Sequence, residues 1–252
     1  GRLYRRHHRG AFRHARVVLP GAAAVQVIIL AAGRGSRLGA HAQSCPKCLT
    51  PIGGRAWLDW QLDALLAAGA NSITLVSGHA AEMIEPRPGI TRVVRHGRWA
   101  ETGPIASLHA ALDLHGDARE LLVAYADCLW HPDWIVRLRE AAAGIAITSD
   151  RAWSELWHAR FATPLADAES LALRPLRIDA RERFALREIG ARAHDEAAIE
   201  GQFMGLVRIA GSARKHLRTW LQALSTEVLH KLDMTALLSL LIAADEDIEV
   251  IS

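Results

Sequence analysis

Apolar and polar positions alternate along this chain in two rhythms. Short runs rich in Val, Ile and Leu read as buried strands over Val25–Ala31, Ser72–Val76, Ile90–Arg95, Glu120–Tyr125 and Gly144–Thr148. Segments with helical spacing lie between them. Ala56–Ala68 places Trp57, Trp60, Leu62, Leu65 and Leu66 on one predicted face, and Gly69 stops it. Pro104–Leu114 opens on a proline, which suits a first helical turn, and the stretch from Pro132 to Ala142 does the same. This alternation predicts an α/β fold, a mostly parallel mixed sheet with helices on both faces. Past residue 150 the rhythm loosens. Residues 153–200 are charged and poorly periodic, followed by a strand at Phe203–Ile209, helices at Ser212–Leu224 and Thr235–Ala243, and a last strand at Ile248–Ile251.

The pattern organises residues 25–252 as one domain. Its first half, 25–150, carries a ligand-binding loop, and its second half, 151–252, is an elaboration facing a second substrate. With 50% hydrophobic residues the chain can fill a sizeable core. No apolar run approaches the roughly 18–20 residues that span a membrane. Residues 1–24 fall outside the pattern, with six arginines and no acid, so the formal net charge of +3 becomes −3 without them. This leader reads as a disordered or non-native extension. Its composition also fits an organelle transit peptide or a nucleic-acid-binding arm. The first acid of the whole chain is Asp59, so the segment before it is uniformly positive and suits an anionic ligand. Three cysteines make no disulfide framework, which favours a reducing, cytoplasmic setting.

The candidate chemistry begins where the first strand ends. Leu30-Ala31-Ala32-Gly33-Arg34-Gly35-Ser36-Arg37 is a small-residue loop whose backbone N–H groups can approach phosphates, with two guanidinium forks beside them. Lys47, in Pro46-Lys47-Cys48-Leu49, adds a second cationic point. A nucleoside triphosphate is the simplest ligand. The loop lacks the spacing of a dinucleotide fingerprint and the Gly-Lys-Ser/Thr ending of a P-loop. Cys45 and Cys48 form an isolated C-x-x-C. The thirteen histidines show no H-E-x-x-H, and there is no Gly-x-Ser-x-Gly elbow.

Together, Leu30–Leu38 and Pro46-Lys47 resemble the signature of nucleotidyltransferases with the GT-A-like Rossmann fold. The likeness continues through Leu49-Thr50-Pro51-Ile52-Gly53-Gly54-Arg55 and Leu58-Asp59-Trp60-Gln61-Leu62. It implies that Leu30, Ala31, Ala32, Gly33, Arg34, Gly35, Ser36 and Arg37 bind the nucleotide, with Gly103 and Ser107 at a base-contacting loop. It implies that Arg37 contacts phosphate, that Lys47 neutralises the reacting phosphates, and that Asp127, closing Ala124-Tyr125-Ala126-Asp127, binds Mg²⁺. A carboxylate at a strand's carboxyl end suits that ion, which takes one or two carboxylates plus phosphate oxygens.

The second half is most similar to enzymes that attach CMP to phosphocholine or small phosphonates. Asp150, Arg151, Trp153 and Arg160 are the expected acceptor contacts. The family's second metal carboxylate is expected beyond Ser252, with Asp150 and Asp233 as weak substitutes. The expected partners are therefore CTP and a small phosphonate or phosphate acceptor, not nucleic acid or membrane, with homo-oligomerisation open. Two alternatives remain: a sugar-1-phosphate nucleotidyltransferase using another nucleotide, and a non-catalytic nucleotide-binding regulatory domain.

Overall fold

The computed structural model describes residues 25–35, 45–84, 87–116, 119–176 and 183–252. Its centre is β1 (Val25–Ala31), buried along almost its whole length. Ile28 and Leu30 point to one side of the sheet, while Val27, Ile29 and Ala31 point to the other. That two-sided burial explains why β1 reads as a continuous apolar run and not as an alternation.

A two-residue hairpin, β2 (Pro51–Ile52) and β3 (Arg55–Ala56), precedes the first long helix. Gly53 and Gly54 form its turn with φ of +60° and +85°, a pair of left-handed positions that glycine fills without strain. Then follow α1 (Trp57–Ala67), β4 (Ala70–Ser77), β5 (Ile90–Arg95), α2 (Pro104–Leu112), β6 (Glu120–Tyr125), α3 (Pro132–Arg139), β7 (Ile145–Asp150) and α4 (Trp153–Arg160). The chain ends through β8 (Glu169–Leu176), β9 (Arg183–Arg192), β10 (Gln202–Ala210), α5 (Gly211–Ala223), α6 (Thr226–Lys231), α7 (Met234–Ala243) and β11 (Ile248–Ile251).

Nine strands share one sheet in the order β5-β4-β1-β6-β10-β7-β11-β9-β8. β1 is parallel to β4 and β6, β4 to β5, and β7 to β11; β10 and β9 run antiparallel to their neighbours. The expected mostly parallel mixed sheet is therefore present, and its two halves interlock: β10 lies between β6 and β7. Helices α2, α5 and α7 cover one face and α1 and α3 the other, each over its own apolar cluster. From β1 the chain moves outward to β4 and β5, then returns to lay β6 on the opposite flank of β1. The β1/β6 carboxyl ends are thus a switch point, where open α/β sheets form their ligand crevice.

Several sequence expectations need correction. The inward stripe of α1 is Leu58, Gln61, Leu62 and Leu65; Trp57, Trp60 and Leu66 are only half-buried. Helix α2 stops at Leu112 and tightens into a 3-10 turn, and α3 stops at Arg139, short of Ala142. The unassigned stretch 153–200 holds α4 and the long β8–β9 hairpin, whose register shifts twice between Glu169 and Leu173. The leader, 1–24, lies outside the described residues.

The outer edge of β8 is covered by the chain just before β10. Glu200 N–H donates to Leu171 O, the Glu200 carboxylate accepts from Leu173 N–H at 2.6 Å, and Gln202 bonds both polar groups of Glu169. Occupying an edge strand's free backbone groups in this way removes a template for unwanted pairing. Among the described residues, no helix is long and apolar enough to cross a membrane.

Candidate active site

The loop after β1 leaves the sheet at the switch point. Ala32 O accepts from His79 N–H at 2.9 Å, which pins the loop to the turn after β4. That contact requires Gly78: a Cβ there would lie 2.6 Å from both Ala32 O and Trp99 Cβ. Trp99 packs beside it, with its ring 5.1 Å from that of His79 and the Arg34 guanidinium 5.7 Å above it. Gly33 and Arg34 are exposed at the mouth of the crevice, and a Cβ on Gly33 would meet nothing within 4 Å. Gly35 has a φ of +68° and presses on the stem of Lys47, so that an added Cβ would sit 3.0 Å from Lys47 Cβ and Cδ. Ser36 and Arg37 lie outside the described residues.

Lys47 is carried by a 3-10 turn, Lys47–Leu49, anchored by Cys48, which is 2% exposed. Burial pushes the Cys48 thiol up to about 12, the state of an inert packing cysteine. All three cysteines are free. The anchored turn sends Lys47 Nζ across the crevice, where it donates a charge-assisted hydrogen bond to Asp127 Oδ2. Both side chains keep partial access to solvent, at 26% and 32%. Asp127 lies two residues past β6, and Ala126 N–H ties its turn to Leu30 O at 3.2 Å. Cys128 follows. Burial raises its thiol's pKa, with Asp127 adding to the effect and the charges of Lys47 and Arg160 opposing it.

The other expected contacts spread over a wider area. Gly103 opens α2, and its N–H donates to His230 O at 2.6 Å. A Cβ there would meet Leu232 O at 2.5 Å, so this glycine packs directly on the α6–α7 connection. Ser107 is buried one turn further into α2. Arg160 is held over the rings of Trp157 and Phe161, at 5.1 and 4.8 Å, and its charge reaches Cys128 beside Asp127. Arg151 stands over Phe184 at 5.1 Å, beside β9. Trp153 is a core residue, 3% exposed, packed with Ala168, Ala193 and Ile199 and donating its indole N–H to Ile199 O. The structure therefore sets Trp153 inside a small apolar cluster, not in the crevice, because its indole N–H is already satisfied inward.

Both substitute carboxylates already accept from backbone close to them in the chain. Asp150 accepts from Ala152 N–H at 2.8 Å, and Asp233 caps α7 through Ala236 N–H at 2.8 Å. Among the described residues, no three His, Cys, Asp or Glu side chains gather as a metal cage. A protein-only cage therefore does not fit. An ion held by one carboxylate and by substrate phosphates does, and Asp127 beside the glycine loop can supply that carboxylate.

Sequence reasoning missed Gln61. It is fully buried, and its amide reaches the turn that carries Asp127. A glutamine in the stripe Leu58, Leu62, Leu65 was the available signal.

Fold and sequence together place the chain among the nucleotidyltransferases. Residues 27–197 match the model of the MobA-like NTP transferase domain, and the chain belongs to that family. It is 27% identical over 213 residues to the CTP:phosphoglutamine cytidylyltransferase of Campylobacter jejuni subsp. jejuni serotype O:2, covering 82% of this chain and 81% of that protein. It is 31% identical over 90 residues to the 2-aminoethylphosphonate cytidylyltransferase of Lancefieldella rimae, covering 34% and 37% of the two chains. The fold is shared with the inositol-1-phosphate CTP transferase of T. maritima, with a TM-score of 0.68, 15% identity, and 91% and 85% of the two chains aligned.

Proposed function

We propose that this protein is a Mg²⁺-dependent cytidylyltransferase that moves CMP from CTP to a small acceptor of the phosphonate or phosphocholine kind, releasing pyrophosphate in a cytoplasmic setting. The observation that carries this reading is the Lys47–Asp127 pair, a cation and a carboxylate opposed across the switch-point crevice beside the glycine loop.

An acceptor oxygen attacks the α-phosphorus of the nucleotide in line. The new P–O bond forms as the bond to the pyrophosphate oxygen breaks, and no enzyme-bound intermediate is needed. Gly33 and Gly35 present backbone to the triphosphate, Arg34 adds charge at the mouth, and Ser36 and Arg37 continue the same loop in sequence. Lys47, on a turn fixed by its buried neighbour, would exchange the Asp127 carboxylate for negative charge growing near the α-phosphate. Asp127 is the residue that would hold Mg²⁺, which would neutralise charge on the triphosphate. Gly103 and Ser107 stand on the base side. Arg160, braced by two rings with its charge felt beside Asp127, supports placing an anionic acceptor on the α4 side, with Asp150 and Arg151 farther along that rim. The relatives' names support a cytidine nucleotide and a small phosphorus-bearing acceptor.

The test is pyrophosphate release from CTP, UTP, GTP and dTTP, each with 2-aminoethylphosphonate, phosphocholine, a phosphorylated amino-acid amide or a sugar 1-phosphate. Release with CTP and one of the small acceptors is expected. Release only with a sugar 1-phosphate and another nucleotide overturns the acceptor reading. Nucleotide binding without release in any arm overturns catalysis.

A further inference from the structure

Gln61 is the one fully buried polar side chain in the stripe that α1 turns toward the sheet, among Leu58, Leu62 and Leu65. A leucine would complete the apolar stripe. The amide instead donates from Nε2 to two carbonyls, Tyr125 O at 2.7 Å and Cys128 O at 2.6 Å. Those carbonyls bracket Ala126 and Asp127. The opposite amide orientation would set an oxygen against two oxygens, so the two acceptors fix which way Gln61 points. Among the described residues its own Oε1 is buried with no partner, a cost that the clamp on the turn offsets.

The same helix holds the other half of the pair. Trp57 N–H at the start of α1 donates to Thr50 O at 3.0 Å, and Cys48 shares the apolar cluster of Leu58 and Leu62. One rigid element therefore sets both the turn bearing Lys47 and the turn bearing Asp127. We infer that Gln61 is a positioning residue: by gripping the backbone on both sides of Asp127 it fixes that carboxylate relative to Lys47 and to the nucleotide. The inference rests on the nucleotidyl-transfer reading for its kinetic consequence, but not for the geometry it describes.

Gln61→Met keeps the volume and removes both donors. Leu62→Ala on the same helix is the control for simple loss of stability, since Leu62 touches neither carbonyl by hydrogen bond. Amide hydrogen exchange is read at Ala126–Cys128 under conditions matched for global stability, alongside steady-state pyrophosphate release. For Gln61→Met, exchange in that turn is expected to quicken at least about tenfold beyond Leu62→Ala. Its kcat should fall about 10- to 100-fold while the nucleotide KM stays within about twofold. Exchange no faster than in the control, or a kcat within about twofold of wild type, overturns the inference. If Gln61→Met does not fold, Gln61→Asn, which is one methylene too short to reach both carbonyls, is read by the same criteria. A wild-type protein that releases no pyrophosphate sinks the proposed function, and the exchange comparison then still decides whether Gln61 holds the turn.

Discussion

The ammonium of Lys47 and the carboxylate of Asp127 meet across the crevice from positions 80 residues apart in the chain. The two side chains are 26% and 32% exposed, so the pair contributes little to stability, and under the proposed function it acts on an anionic ligand. Lys47→Ala is expected to lower kcat by about 10²–10³, the loss of about 3–4 kcal/mol typical of one preorganised electrostatic contact. The melting temperature should move by no more than a degree or two. Stopped-flow or coupled pyrophosphate release against a thermal melt checks both, and near-unchanged turnover removes Lys47 from the machinery.

Two glycines of the same region separate fold from function. Gly78 is squeezed between Ala32 O and Trp99, and Gly33 borders open space. Gly78→Ala should cost about 1–3 kcal/mol of stability through overpacking. Gly33→Ala should leave stability within about 0.5 kcal/mol, yet raise the nucleotide KM severalfold, because under the proposed function the methyl would stand between the loop's backbone and a phosphate. Denaturant melts and nucleotide titration of the two variants should therefore rank them in opposite orders. A Gly33→Ala protein with unaltered nucleotide affinity would show that the triphosphate does not lie on that backbone.

Much of this arrangement was legible in the sequence because it is local. The apolar run of β1, the glycines after it and the prolines opening α2 and α3 each state their structure within a few residues. Lys47 showed by itself only as a second cationic point, and the roles expected of Lys47 and Asp127 came from the resemblance to nucleotidyltransferases, which is carried by short stretches of sequence. Three features did not show. The β8–β9 hairpin buries Leu171, Leu173, Phe184, Leu186 and Ile189, but its register shifts break the period-2 pattern. Trp153 and Trp157 carry helical spacing, and only the structure shows that their edge-on ring pair, 5.9 Å apart, belongs to a satellite cluster. The role of Gln61 is not local, because its partners lie 64 and 67 residues away.

Far from the crevice, near the amino ends of β7 and β11, stability is tied to a buried carboxylate. The Glu249 side chain is 1% exposed; it pairs with Arg183 Nη1 at 2.9 Å and accepts from Ala142 and Ala143 N–H at 2.7 and 3.1 Å. Glu249→Ala leaves Arg183 with Glu140 O, 3.3 Å from Nη1, in place of a carboxylate and frees two backbone donors, and should cost about 3 kcal/mol. The folded fraction should keep the wild-type nucleotide KM, since nothing in that network touches the carboxyl edge of the sheet. Urea unfolding and nucleotide titration separate the two effects, and a stability loss under about 1 kcal/mol would mean that the pair is not desolvated in solution.

His115 gives the fold a pH dependence of defined sign. It is buried, bonded through Nδ1 to Gln26 Oε1 at 2.7 Å, and its Nε2 has no partner among the described residues. Burial, helped by the charges of Arg92 and Arg214, lowers its pKa from 6.5 to about 4. Between those values the unfolded chain holds a proton on this ring and the folded chain does not. Stability therefore rises with pH across that window and is complete above it. On acidification from pH 7 the protein should lose stability progressively until about pH 4, where the folded ring also protonates. His115→Asn keeps a donor toward Gln26 and cannot titrate, so its unfolding free energy should fall less over the same range. Parallel slopes for the two proteins between pH 6.5 and pH 4 would show that His115 is already protonated when folded, and that its burial is relieved by water.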